Sequence, residues 1–509
     1  MRIGFYIPTF EHLGVAYLSA SLREAGHETM GFYDPLLFND PLFSNSFLAR
    51  FLDMEDCVIE RILEAEIDLL AFSVVTDRFS SACRIARKVK ARRNITTVFG
   101  GIHCSSVPER VVQRPEVDFV VVGEGEHAIV ELAGRLETDK RAGEIANVWH
   151  RRNGEVFTPP RPLIQDLDEL PFPDRTLITI PVPLFMQARC NIIASRGCPF
   201  SCTYCNNSRM RELYRGKGTW RRRRSVDNVI EELRRAAKAK PFYYVRFWDE
   251  VFIDDVAWLR EFADKYPTAV GKPFSCWGHS RFVTEESAAL LQQAGCDRIN
   301  IGVETIREET RRLFLRRSET NGQIMRAINL LRDTSIVVTT GNILGLPGQS
   351  LNEGVEMARF YNENRVDIPF FYYFRPYPRT AIVAMAQERG LLSQAQVEAI
   401  EDPTTGNRDL LHPSGEDTRD FIRVRGLLQL TRVAPPRLLK FFLKGDRWRR
   451  FPAVNLSPVI TVTVGILRCL RLRRRGEVRH WEVCRYLYAS LVFALQKCAW
   501  RFLRVLKPR

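Results

Sequence analysis

Twice along this chain short apolar runs alternate with stretches of helical period, and a proline-rich segment separates the two series. In the first series "RIGFYI" (2–7), "ETMGFYD" (28–34), "DLLAFSVV" (68–75), "TTVFGG" (96–101) and "DFVVVGEGE" (118–126) read as strands, with helical stretches such as 13–27 between them. Strands that are apolar at nearly every residue and joined through helices predict a parallel sheet covered on both faces. Ligands of such sheets bind beyond the carboxyl ends of the strands. Those ends carry Ser73, Thr76, Gly100, Gly101, His103, Gly123, Glu124 and Gly125. Two readings of the glycines stand side by side: tight turns, or close approach of a large flat or phosphate-bearing ligand. No G-x-G-x-x-G follows the first strand, which argues against a dinucleotide. A lone imidazole such as His103 reads first as a satisfied structural group and second as a metal or corrin ligand.

Residues 158–177 contain five prolines and little periodic pattern, as an extended connector would. The second series follows: "CNIIASRG" (190–197), "YYVRFWDE" (243–250), "FSCWGHSR" (274–281), "RINIGVET" (298–305), "VVTTGNILG" (337–345) and "FFYYFRPYP" (370–378). Six βα units predict a barrel or partial barrel, with its active site at the carboxyl ends of the strands. Asp249, Glu250, Arg281, Glu304 and Gly345 lie at those ends. The expected division is 1–150, a linker at 151–185, the barrel at 186–395, and a C-terminal region at 396–509.

The first strand of the second series runs into "SRGCPFSCTYCNNS" (195–208), which spaces Cys198, Cys202 and Cys205 as C-x3-C-x2-C. A zinc site would want a fourth Cys or His at comparable spacing, and none lies within the next 70 residues. A disulfide would leave one cysteine over. It also conflicts with the reducing cytoplasm expected of a chain whose start, with Pro8, Glu11 and His12, offers no apolar export signal. Three thiolates on a [4Fe–4S] cluster leave one iron open to an exogenous ligand.

With Tyr204 just before its last cysteine, the motif resembles the signature of the radical S-adenosylmethionine (SAM) superfamily. The resemblance implies that Cys198, Cys202 and Cys205 hold a [4Fe–4S] cluster and that SAM chelates the open iron. One-electron reduction would then release a 5′-deoxyadenosyl radical. It implies SAM contacts at Asp249 or Glu250, at Arg281 and Glu304, and at Gly345 in "GNILGLPGQS", where Gln349 stands in place of the Glu of many relatives. "RPYPRTAI" resembles a Pro-x-Pro-Gly-Thr pattern, with Arg379 in place of the glycine. The segments "LGVAYLSASLREAGHE", "VFGGIHCSSVPERVV" and "DLDELPFPDRTL" are similar to the cobalamin-binding domain and connector that precede the barrel in one large subclass.

The implied fold is α/β: a flavodoxin-like or Rossmann-like cobalamin-binding domain, a (βα)6 partial TIM barrel, and a mainly helical basic C-terminal segment. Ser73, Thr76, Gly100, Gly101, His103, Gly123, Glu124 and Gly125 would face the corrin. The D-x-H-x-x-G motif is absent, as is usual in this subclass. The implied reaction is methylation of an unactivated carbon, with a reductant such as ferredoxin or flavodoxin. Corrinoid-linked oxidation, cyclisation or rearrangement is the near alternative, and a non-catalytic iron–sulfur carrier or sensor the distant one. No residue is assigned to the catalytic step itself.

The formal charge of +15 is concentrated at one end. Residues 419–509 hold 22 Lys and Arg against four Asp and Glu, so the preceding 418 residues sum to −3. Basic clusters interleaved with Trp and Phe fit either interfacial helices on anionic lipid or a helical cap with a solvated basic face. The first reading puts the protein in the cytoplasm at the inner face of the membrane, with a small-molecule or lipid-like substrate. No recognised nucleic-acid motif accompanies the charge, which argues against nucleic acid as a partner.

Overall fold

The computed structural model describes residues 1–8, 12–36, 49–50, 53–138, 142–151, 156–177, 189–364, 366–404, 418–431 and 434–453. The first sheet is built from β1 (Arg2–Pro8), β2 (Glu28–Asp34), β3 (Leu69–Ser73), β4 (Thr96–Gly100), β5 (Phe119–Val121), β6 (Val148–His150) and β7 (Val156–Phe157). Their spatial order is β2-β1-β3-β4-β5-β6-β7. The first five are parallel, and β6 and β7 add on antiparallel. Alternate residues of a strand point to opposite faces, and each face has its own core. Tyr6, Leu70, Phe72, Phe99 and Val120 pack on one side, while Ile3, Phe5, Ala71, Val98 and Phe119 pack on the other. That double burial is why the strands are apolar throughout. β6 and β7 carry no period that the sequence could reveal, and they carry the sheet on to Phe157.

The proline-rich connector is extended but not loose. Leu167 and Leu170 pack against Tyr17, and Leu177 enters the first domain's core. The Leu177 carbonyl lies 2.3 Å from where a Cβ on Gly31 would stand, so only glycine fits there.

Beyond it stand β8 (Arg189–Ile192), the two-residue β9 (Ser195–Arg196) and β10 (Arg222–Arg223), then β11 (Tyr244–Phe247), β12 (Phe274–Gly278), β13 (Cys296–Glu304), β14 (Val337–Leu344) and β15 (Ile368–Tyr373). Six of these form one sheet in the sequential order β15-β14-β13-β12-β11-β8, parallel throughout. β9 and β10 pair separately as a small antiparallel ribbon. Helices cover one face of the large sheet around Phe247, Phe252, Phe262 and Phe274.

The start of the basic region is a cap. Helix Thr418–Leu430 lays Val424, Leu427 and Leu428 against Val355, Met357 and Tyr361 of helix Leu351–Glu363, with Trp448 and Phe451 completing the cluster. Of the basic clusters on which the lipid reading rests, the first (438–451) is part of this cap, and those at 454–509 lie outside the described residues. Among the described residues no helix is long and apolar enough to cross a membrane.

Charge ties the two sheets together. The Glu124 carboxylate accepts from Arg222 at 2.7 Å and from Arg196 at 3.2 Å, and Arg196 also bonds Glu126. Breaking a buried ion pair strands the partner charge and costs about 3–5 kcal/mol. Glu124→Gln is therefore expected to lower the urea midpoint of the whole chain by the equivalent of about 3 kcal/mol. An unchanged midpoint would show that this pair does not hold the domains.

Candidate active site

The cysteine loop begins where β9 ends. Gly197 turns the chain with φ +85°, and a Cβ there would stand 2.3 Å from the Trp220 carbonyl oxygen. Trp220 Nε1 in turn donates to the Cys198 carbonyl at 3.0 Å, and Arg221 donates to the Gly197 carbonyl at 3.0 Å. At the far side the Cys202 carbonyl accepts from the Cys205 amide at 3.2 Å and from Ser208 Oγ at 2.6 Å. Cys205 is the N-cap of helix Asn206–Leu213, a position whose partial positive charge favours a thiolate. The Thr203 amide donates to the Leu315 carbonyl at 3.3 Å, which fixes the loop to the segment after β13.

Cys202 is buried and the other two thiols are half-buried. Burial pushes Cys198 up to about 11 and Cys202 up to about 12, and it raises Cys205 as well. Cys205 adds to the rise in Cys198 and in Cys202, and Cys198 adds to that in Cys202, which places them within electrostatic reach. Three such thiols deprotonate together only when a cation takes their charge, so metal loading and proton release are coupled. Among the described residues no group of three or more His, Cys, Asp or Glu side chains is arranged so that it could hold a metal ion.

A buried polar network joins this loop to the ends of β12 and β13. Glu304, in the left-handed region at φ +66°, accepts from Arg317 at 3.0 Å and from the Tyr204 hydroxyl. Arg317 also donates to the Gly302 carbonyl at 2.8 Å and to Glu319 at 3.1 Å. Glu319 meets His279, whose ring stacks on Phe200 of the cysteine loop with centroids 3.8 Å apart. Burial raises Glu304, with Arg317 opposing. Glu319 is held well below the usual carboxylate range by the His279 hydrogen bond and by Arg317, despite its burial. Arg317, Glu319 and His279 escape sequence reasoning because their partners come from separate strands. The imidazole at the end of β12 was the one available signal.

The expected SAM contacts divide. Asp249 is fully buried, and its carboxylate accepts the Ala194 amide at 3.1 Å and the Ser195 hydroxyl, so it pins the segment between β8 and β9. Its neighbour Glu250 faces open space instead. Arg281 is exposed, donates to Ser318 at 2.8 Å and lies over the Phe200 ring at 5.6 Å. Gly345 turns at φ +79°, and Gln349 Oε1 accepts its amide at 2.7 Å and that of Leu346 at 3.2 Å. Arg379 keeps a left-handed φ of +58° at the position of the missing glycine and pairs with Glu109 and Glu401.

A cavity of about 320 Å³ lies between the first sheet's strand ends and the cysteine loop, a volume in the range of ligand pockets. Ser73, Gly100, Gly101, Gly123, Glu124 and Gly125 line one side, and Gly197, Asn207, Trp220 and Glu250 line the other. Thr76 and His103 are not among the residues that line it. His103 Nδ1 lies 3.2 Å from Thr76 Oγ1 and its ring packs on Phe79, while burial lowers it to about 4 and keeps it neutral. The glycines divide too. At Gly101 (φ +93°) a Cβ would stand 2.6 Å from the Val74 nitrogen, and at Gly123 it would strike the Tyr214 hydroxyl, so protein contacts explain both. Gly100 has no atom nearer than 3.6 Å to that position and leaves real room. A glycine-floored cavity with mostly apolar walls fits the flat face of a corrin. Gly197→Ala is expected to cut iron per chain after anaerobic reconstitution severalfold. Gly216→Ala has a similar φ of +73° and nothing within 4 Å, so it should retain iron; equal loading by the two variants would show that the turn at Gly197 does not shape the cluster loop.

Residues 8–133 match the B12 binding domain and residues 192–361 match the radical SAM superfamily. The chain is 27% identical over 394 residues to the uncharacterized methyltransferase PH0819 of Pyrococcus horikoshii, covering 75% of this chain and 79% of that one. It is 27% identical over 411 residues to the anaerobic magnesium-protoporphyrin IX monomethyl ester cyclase of Rubrivivax gelatinosus, covering 74% and 68%. The solved structure of the radical SAM methyltransferase TsrM from Kitasatospora setae, with cobalamin and a [4Fe–4S] cluster bound, shares the fold with a TM-score of 0.64 at 16% identity, over 98% of this chain and 100% of that one. The chain therefore belongs to the radical SAM superfamily, in the group whose radical domain is preceded by a B12-binding domain.

Proposed function

We propose that this protein is a cobalamin-dependent radical SAM methyltransferase acting on an unactivated carbon. One observation carries the reading: a single cavity draws its lining both from the glycine-rich strand ends of the first sheet and from the cysteine loop of the second domain. Two cofactor sites that share a wall can pass a one-carbon group between them without exposing it to water. When bound, the iron–sulfur cluster and SAM supply one-electron cleavage of a sulfonium bond, and the corrinoid supplies a methyl carrier.

The chain's own residues have separate tasks. Cys198, Cys202 and Cys205 would hold the iron through thiolates. Glu250, beside the loop and open to the cavity, would accept hydrogen bonds from the SAM ammonium. Glu304 would serve the ribose or methionine portion, and the turn at Gly345 would pack against adenine. Arg281 would contribute from the end of β12. Ser73, Gly100 and Gly125 would seat the corrin face. The electron would come from a ferredoxin or flavodoxin, and the methyl acceptor would be a small molecule, lipid-like if the C-terminal clusters meet the membrane. The cyclase among the relatives favours a second reading, corrinoid-linked cyclisation or oxidation, which uses the same cavity and the same first step.

Anaerobically reconstituted protein, given SAM and a low-potential reductant, is expected to form 5′-deoxyadenosine, and Cys202→Ala should reduce that at least a hundredfold. A well-formed cluster that never cleaves SAM would overturn the enzyme reading. Protein produced with cobalamin available should copurify with corrin; its absence would overturn the methyl-relay route alone.

A further inference from the structure

The second sheet buries one face under helices, and strand register determines what the other face carries. Ile192, Val245, Phe274, Cys276 and Ile299 pack on the helix side. The alternating residues Asn191, Arg246, Ser275 and Arg298 therefore project from the opposite face. They form one row: Arg246 pairs with Asn191 and with Ser275, and Ser275 pairs with Arg298. Nearer the cysteine loop the same face presents aromatic surface. Trp248 donates from Nε1 to Asn191 Oδ1 at 3.0 Å, Trp277 lies opposite Asn300, and Phe370 stacks with Tyr372 on β15.

The two arginines in this row are short of counter-charge. Arg246 is half-buried, with its guanidinium 3.8 Å from the Trp248 ring centroid, and it makes no ion pair with any described carboxylate. Arg298 approaches Asp297 only at 3.9 Å, and its buried Nε has no hydrogen-bond partner. Asp297 meanwhile accepts from the Tyr244 hydroxyl at 3.1 Å. Other inward-lying arginines of this domain are satisfied within the fold: Arg221 and Arg223 by Asp254, Arg224 by Glu232, Arg317 by Glu304 and Glu319, and Arg311 by the Thr305 and Glu319 carbonyls and Asn321. A desolvated guanidinium without a carboxylate is costly to keep. Its planar donor fork suits a carboxylate or phosphate brought by a ligand.

We propose that Arg246 and Arg298 form the anion subsite of the substrate pocket, and that the substrate is an apolar, flat-bodied molecule bearing a carboxylate or phosphate. The anionic group binds at the arginine row, and the apolar body lies along Trp248, Trp277 and Tyr372 toward the cysteine loop. The chain from Arg246 to Glu250 spans at most about 13 Å at the rise of a strand, which sets the length between the anionic group and the reacting carbon. The assignment rests on the proposed function in one respect, that this face meets the SAM site.

Isothermal titration calorimetry on the cluster-loaded full chain with SAM bound tests it, using 2-naphthoate, 2-naphthyl phosphate and the neutral 2-naphthamide. At least one anion should bind tenfold or more tighter than the amide, and the tighter of the two identifies carboxylate or phosphate. Arg246→Gln should bring that preference below twofold, while Arg246→Lys should keep part of it; Arg298→Gln should act in the same direction as Arg246→Gln. Equal binding of all three compounds, binding of none, or full anion preference in Arg246→Gln would overturn the subsite. SAM cleavage measured on the same wild-type preparation separates the two claims. Cleavage without anion preference overturns the subsite alone, and anion preference without cleavage overturns the enzyme reading alone.

Discussion

Three thiols held on one short loop, each raised by burial, set the terms for the structure around them. Their thiolate forms repel and are poorly solvated, so the loop is stable in its metal-binding form only if its backbone is fixed independently. Gly197 and Trp220 fix one end, helix Asn206–Leu213 the other, and the Tyr204–Glu304–Arg317 network the middle. Arg317 is also the positive charge that opposes the rise of Cys202. The strained φ at Glu304 belongs to this bracing: it turns the carboxylate toward the loop at a strained position of the kind that clusters at functional sites.

The second constraint is the seam between domains. Glu124 stands on the cavity wall and receives two arginines from the other domain, while Tyr214 from the helix after the cysteines fills the space over Gly123. On the far side Arg375 pairs with Asp77, and Arg379 with Glu109. The cavity therefore has walls of fixed relative position. A transfer between two cofactors needs that preorganisation more than it needs any single side chain.

The sequence revealed what apolar periodicity and cysteine spacing encode: five strands of the first sheet, six of the second, and the metal-binding loop. It could not reveal β6, β7, β9 or β10, which are two or three residues long and rest on pairing rather than pattern. Nor could it say which of Asp249 and Glu250 faces the cavity, because alternation lapses where the strand ends. In the run "WRRRR" (220–224) each of the four arginines finds a carboxylate. Glu124, the partner of Arg222, comes from 98 residues away, a separation invisible to local patterning. The groups that meet His103, Thr76 and Phe79, lie on another segment, so local patterning could not name them.

The central claim is that the three-cysteine loop leaves one iron for SAM to chelate. Electron–nuclear double resonance on the reduced, reconstituted protein, with SAM labelled with nitrogen-15 at the amino group and oxygen-17 at the carboxylate, tests it directly. The account predicts hyperfine coupling of both labels to the cluster. A reduced cluster that shows coupling to neither label at saturating SAM would contradict it.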